Sequence, residues 1–164
     1  MRSGLIVNPK SGKSSGKGLA LAGKLKTVPG ASVRVIDEFR KLPAYLDELA
    51  ADGVTELFIS SGDGTIQAIQ TELAERQPFT APPRLALLPH GTTNMTAADL
   101  GFRHRNLDAQ AAFIANPTGG ETRSRHTLRA ANPRDGLARH GMFLGTGAVS
   151  EATLYCQQAF NAKG

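Results

Sequence analysis

Long apolar runs are absent from this chain, and so is any cysteine framework. Its 164 residues include one cysteine, Cys156, and no tryptophan. A single thiol excludes an intramolecular disulfide scaffold. No apolar stretch approaches the ~20 residues needed to span a bilayer. The opening segment, Met1-Arg-Ser-Gly-Leu-Ile-Val-Asn8, turns polar after three strong apolar residues and lacks the apolar core of a signal peptide. A soluble, cytoplasmic protein is expected. Aromatic residues are scarce, seven Phe and two Tyr, and none alternates with basic residues as a base-stacking platform would require. Nucleic acid is therefore not an expected partner. Acids are scarce late in the chain: beyond Glu121 only Asp135 and Glu151 occur.

What the chain does have is positive charge and glycine. The formal net charge is +5, with arginines gathered between Arg103 and Arg139. That balance fits an ordinary basic surface, an anionic ligand, or peripheral contact with an anionic membrane. The length suggests one domain, or one domain plus a fragment, and is enough to bury a core.

Apolar patterning gives an alternating order of elements. Residues 3–8, 32–36, 57–60 and 84–88 read as strands. Segments 14–25, 42–51, 65–76, 94–100 and 106–115 read as helices. Strands alternating with helices imply a parallel sheet with helices on both faces, an α/β class. After Gly120 the character changes. Residues 127–131 and 141–145 read as strands joined through Asn132-Pro-Arg-Asp-Gly136, a hairpin sequence. The expected organisation is an α/β unit over 1–120 and the beginning of a β-rich unit, incomplete, over 121–164.

In a parallel α/β sheet ligands bind beyond the carboxyl ends of the strands. Three of the predicted strands run into chemically loaded loops there. The first is Asn8-Pro-Lys-Ser-Gly12, the second Ser61-Gly-Asp-Gly-Thr65, the third Pro89-His-Gly-Thr-Thr-Asn94. Glycines let backbone N–H groups approach an anion, and a following helix points its positive end at the same place. Each loop alone is also good turn or cap chemistry. Asp63 could simply cap the helix after it, and so could Thr92, Thr93 or Asn94 for the next. Gly12 to Lys17 resembles a Walker A loop but is one residue short, with Gly18 after the lysine. An acid between two glycines is odd in a phosphate cradle, since it repels phosphate. It makes sense if a divalent cation or a reacting hydroxyl lies between them.

The order Asn8-Pro-x-Ser-Gly12, Gly62-Asp-Gly-Thr65 after a strand, and Pro89-x-Gly-Thr-x-Asn94 resembles the signature of the diacylglycerol kinase catalytic-domain family. That group includes sphingosine, ceramide and bacterial lipid kinases. NAD kinases and phosphofructokinases share only the Gly-Asp-Gly element. Met142-Phe-Leu-Gly-Thr-Gly147 resembles the glycine-bearing strand near the start of the family's second domain. The resemblance implies an ATP-dependent lipid kinase that uses Mg²⁺ to transfer the γ-phosphate to a lipid hydroxyl, diacylglycerol-like or sphingoid-like. It implies that Asn8, Pro9, Lys10, Ser11, Gly12, Gly62, Gly64, Thr65, Thr92 and Asn94 contact the nucleotide. It places Asp63 near the γ-phosphate, to accept the hydroxyl proton or to orient Mg²⁺ through water.

Departures are visible. Ser61 replaces a glycine, as in sphingosine kinases. Gln67-Ala68 stand where many members have Asn-Glu, and Met95 where Asp is common. His90 beside bound phosphate could titrate near neutral pH, or it could be an ordinary solvent-facing loop histidine. His104, His126 and His140 show no metal-ligand spacing. Family enzymes are longer, and their second domain adds acids and a lipid groove. Two other readings therefore stand beside the kinase: a catalytically incomplete ATP-binding fragment, and an NAD kinase-like phosphotransferase. An exposed face left by a missing half would favour a homodimer.

Overall fold

The computed structural model describes residues 1–12, 16–102, 106–118, 120–131 and 134–145, with isolated positions 148, 151 and 155. Four strands form one parallel sheet: β1 (Ser3–Val7), β2 (Ala31–Val35), β3 (Glu56–Ser61) and β4 (Arg84–Pro89). Their order across the sheet is β2-β1-β3-β4. β1 is buried along its whole length, and so is β3 from Leu57 on, because helices cover both faces of these central strands. The edge strand β2 is half-buried throughout.

Period-2 alternation sorts the apolar residues into two cores. Ile6, Leu57 and Ile59 face one side, where they pack with Leu42, Leu46 and Leu49 of α2 (Leu42–Ala51) and Ile66 and Ile69 of α3 (Asp63–Glu75). Leu5, Val7 and Phe58 face the other side, with Leu21 and Leu25 of α1 (Lys17–Leu25) and Ile114 of α5 (Leu107–Ala115). Each such fully buried side chain contributes about 1.5–3 kcal/mol relative to exposure. The short α4 (Met95–Leu100) adds Ala97 to the first core. The expected α/β sheet with helices on both faces is thus present.

The strand order fixes where a ligand can enter. From β1 the chain goes outward to β2, then returns past β1 to β3 and on to β4. The direction reverses between β1 and β3, and the crevice at such a switch point is where open α/β sheets bind ligands. Register pairs of Val7 with Ser60 and Ser61 with Pro89 bring the carboxyl ends of β1, β3 and β4 to one edge.

Several boundaries differ from the sequence reading. α3 starts at Asp63 instead of residue 65, because extended Gly62 serves as its N-cap and the first turn needs no i−4 partners. α1 starts at Lys17; the predicted start at residues 14 and 15 lies outside the described residues. The hairpin forms as β5 (Leu128–Ala130) and β6 (Arg139–Gly141), antiparallel. β6 is therefore displaced from the predicted 141–145. His140 is fixed by Thr71, whose Oγ1 accepts the His140 N–H at 2.9 Å. With Leu128 paired to Gly141, residues 142–145 have no β5 partner and form no strand. Residues 146 and 147 of the predicted glycine-bearing strand lie outside the described residues, as do Asn132 and Pro133 of the hairpin loop.

Gly18 lets α1 lie against the sheet. A Cβ there would come within 2.5 Å of Ser60 Oγ and 2.6 Å of Val7 Cγ1. Gly18→Ala is therefore expected to destabilise the fold by about 1–3 kcal/mol. Urea unfolding checks this; an unchanged midpoint would show that the helix has room to shift.

Candidate functional site

Three loops meet over the switch point and enclose an open cavity of about 280 Å³, lined by Lys10, Ser11, Gly12, Gly62, Asp63, Gly64, Thr65, Gly91 and Thr92. Eight of these were anticipated from the motifs, and Gly91 was not assigned a role. The signal for Gly91 was available, since it is the glycine of the third motif.

The loops are tied to each other before any ligand arrives. Asn8 Nδ2 donates to Thr65 Oγ1 at 2.8 Å, while Asn8 Oδ1 accepts the Lys10 N–H at 3.0 Å. Ser11 Oγ lies 2.9 Å from Ser61 Oγ and accepts the Gly62 N–H at 3.3 Å. Gly12 has φ 60, and a Cβ on it would overlap the His90 carbonyl oxygen. A Cβ on Gly91 would overlap the Gly62 Cα, so the second and third loops touch backbone to backbone. Asn94, itself left-handed at φ 56, closes a ring on Gly91: its Oδ1 accepts the Gly91 N–H at 2.6 Å and its Nδ2 donates to the Gly91 carbonyl at 2.8 Å. Asn8 and Asn94 thus shape the cavity with their side chains turned into the protein. They and Pro9 are not among the residues that line it.

The N-terminus of α3 opens onto the cavity. Asp63, Gly64 and Thr65 form the first turn of α3. The helix cannot use its first N–H groups itself, and its dipole places partial positive charge there. Exposed Lys10 adds a cation to the lining. The Asp63 carboxylate is engaged elsewhere: Oδ2 accepts the Met95 N–H at 3.1 Å and Oδ1 the Thr96 N–H at 3.0 Å, both from α4. It caps the following helix across the loop instead of its own.

His90 is buried, only 6% exposed, with Nδ1 2.8 Å from Ser60 Oγ. This corrects the reading of a solvent-facing loop histidine. Burial holds its pKa below the usual histidine value, and the Lys17 charge adds to that, with a hydrogen bond to Gln110 opposing. The neutral form is favoured, so a titration near neutral pH is not expected either. Farther along the chain, Arg125 pairs with Asp99, Arg129 with Glu75 and Arg139 with Asp135. These three arginines of the basic stretch are opposed by carboxylates. Among the described residues, no helix is long and apolar enough to cross a membrane.

Residues 2–112 match the family model of the diacylglycerol kinase catalytic domain. The chain belongs to that family. A probable lipid kinase YegS-like from Xanthomonas oryzae pv. oryzae (strain MAFF 311018) is 34% identical over 106 residues, which cover 64% of this chain and 34% of that protein. The corresponding protein of strain KACC10331 / KXO85 gives the same figures. The match thus spans about a third of the length of these curated relatives. The matched region contains all three loops, so the cavity is built from the part of the chain that defines the family.

The His90 environment makes a pH prediction. The unfolded chain's histidine binds its proton near pH ~6.5, whereas the folded site resists it. Below that pH the unfolded state holds the extra proton, so stability falls as pH drops from about 6.5 toward the lowered folded value and is flat above. Urea midpoints at pH 7.5 and 5.5 should fall more in the wild type than in His90→Gln. Equal falls in the two proteins would count against it.

Proposed function

We propose that the cavity binds the polyphosphate of ATP, and that the protein acts as a lipid kinase, moving the γ-phosphoryl group to a lipid hydroxyl with ADP as the other product. The observation that carries the nucleotide reading is Gly64. It lines the cavity in the first turn of α3, yet a Cβ on it would meet nothing within 4 Å beyond its chain neighbours and its own helix backbone. Neither packing nor backbone geometry requires glycine there, and alanine would suit a helix better. The space a side chain would fill is the space a phosphate needs to reach the helix N-terminus. Residues 1–120 then form the nucleotide-binding unit, and 121–164 begin a β-rich unit.

The remaining residues take complementary parts. Lys10 neutralises phosphate charge, Thr65 and Thr92 offer hydroxyl groups, and Gly12 and Gly62 let backbone approach. Phosphoryl transfer depends chiefly on positioning and charge neutralisation, which such a cradle supplies. Among the described residues, no three His, Cys, Asp or Glu side chains come together as a metal cluster. Mg²⁺ commonly binds through one or two carboxylates, waters and substrate phosphates. In this reading the phosphates and water would supply the donors, since both Asp63 oxygens already accept N–H groups of α4. When bound, Mg²⁺ would offset phosphate charge.

Calorimetry with ATP–Mg²⁺ tests the reading on wild type and Gly64→Ala. The variant should keep or raise its thermal midpoint and bind ATP about tenfold more weakly or worse, because the methyl blocks the helix N-terminus. Equal affinity would remove the phosphate from this cavity. Transfer of labelled phosphate to extracted lipid tests the kinase step; no product with diacylglycerol, sphingoid bases or long-chain alcohols would leave only ATP binding for this chain.

A further inference from the structure

Asp63 is an acid in a cavity suited to phosphate, and the geometry points to a positioning task for it. Asp63 holds the Gly91–Asn94 loop against the N-terminus of α3, and so sets the width of the phosphate cradle without touching the reacting atoms. This rests on the ATP reading of the cavity.

Two observations support it. The carboxylate grips α4 with both oxygens, through Met95 N–H at 3.1 Å and Thr96 N–H at 3.0 Å. These are the first two N–H groups of α4, which that helix cannot bond itself. Asn94, the residue placed to cap α4, is not available for it, because both ends of its amide are bound to Gly91. Asp63 therefore does from 32 residues away what a local cap does in most helices.

The loop consequently has two locks. Asn94 closes on Gly91, and Asp63 fixes the residues that follow. Thr92 lies inside the Gly91–Asn94 ring, just before the residues that Asp63 grips, and lines the cavity. The wall bearing Thr92 stands where Asp63 puts it. The grip also explains how an acid is tolerated near phosphate: the positive end of α4 faces its charge.

Asp63→Asn keeps one acceptor and turns the other into an amino group facing an N–H donor. Asp63→Glu keeps the charge but moves the grip by one methylene. Both variants are expected to speed amide hydrogen exchange at Met95 and Thr96 in the ligand-free protein. Both should weaken ATP binding about tenfold, the scale of a small misplacement, by the same factor with and without Mg²⁺. Combined with Thr92→Ala, the loss should be smaller than the product of the single losses, since Asp63 acts through that loop.

Three results would overturn the proposal: unchanged exchange at both amides, a loss confined to Mg²⁺-containing buffer, or losses that multiply. Full affinity in Asp63→Glu alone would point to charge or proton transfer instead. If the wild type binds no ATP, the nucleotide reading fails and the cradle role fails with it. The exchange data then still decide whether Asp63 holds the loop.

Discussion

Two charge-assisted hydrogen bonds from Asp63 to the start of α4 join the loops that follow β3 and β4. Hydrogen bonds to a charged group are worth about 1.5–3 kcal/mol each when protected from water, and less here, where Asp63 is half-buried. Their consequence is geometric. Ser11 ties the first loop to the second, Asp63 ties the second to α4, and Gly12 presses the first against the carbonyl of His90. The three loops form a closed set of contacts around the cavity. A site already tied together loses little conformational freedom when ligand enters, which favours binding.

Three of the four cavity glycines fall into two physical classes, while a Cβ on Gly62 would make only an ordinary contact with Gly91. Gly12 and Gly91 are required by the protein itself, since a side chain on either would overlap neighbouring backbone. Gly64 is required by nothing in the protein. The first class brings the loops into contact, and the second keeps a space open. Here both kinds meet in one cavity, the open one at the N-terminus of α3.

Much of this was legible in the sequence because strand patterning and loop chemistry are local. Leu57-Phe58-Ile59 reads as a doubly covered strand, and a parallel sheet gathers its post-strand loops on one edge whatever the details of packing. What depended on long-range register was not legible. His90 is buried because the pairing of Ser60 with Leu88 brings its ring onto Ser60 Oγ, and no local signal encodes that pairing. Asp63 looked like a cap or an active acid for its own loop; its partners are 32 and 33 residues on. Asn8 and Asn94 were expected to contact nucleotide; their amides are instead bonded within the loops, and neither lines the cavity. β6 moved because Thr71, on a distant helix, decides which residue of the segment is held.

The hairpin extends the same logic past the cavity. Its β6 strand lies on α3, where Thr71 bonds the His140 backbone and Glu75 receives both Arg129 and His140. Those two partners hold the Glu75 carboxyl down to about 2, so the pairing persists well below neutral pH. Gly141 then lies beside Gln67, one turn along α3 from the cavity-lining Asp63 and Gly64. α3 thus carries the cavity at one end and the hairpin along its side. A packed helix moves as a unit more readily than it bends. β6 is therefore tied to the helix that floors the cavity, and a displacement of the hairpin would reach the cavity through α3.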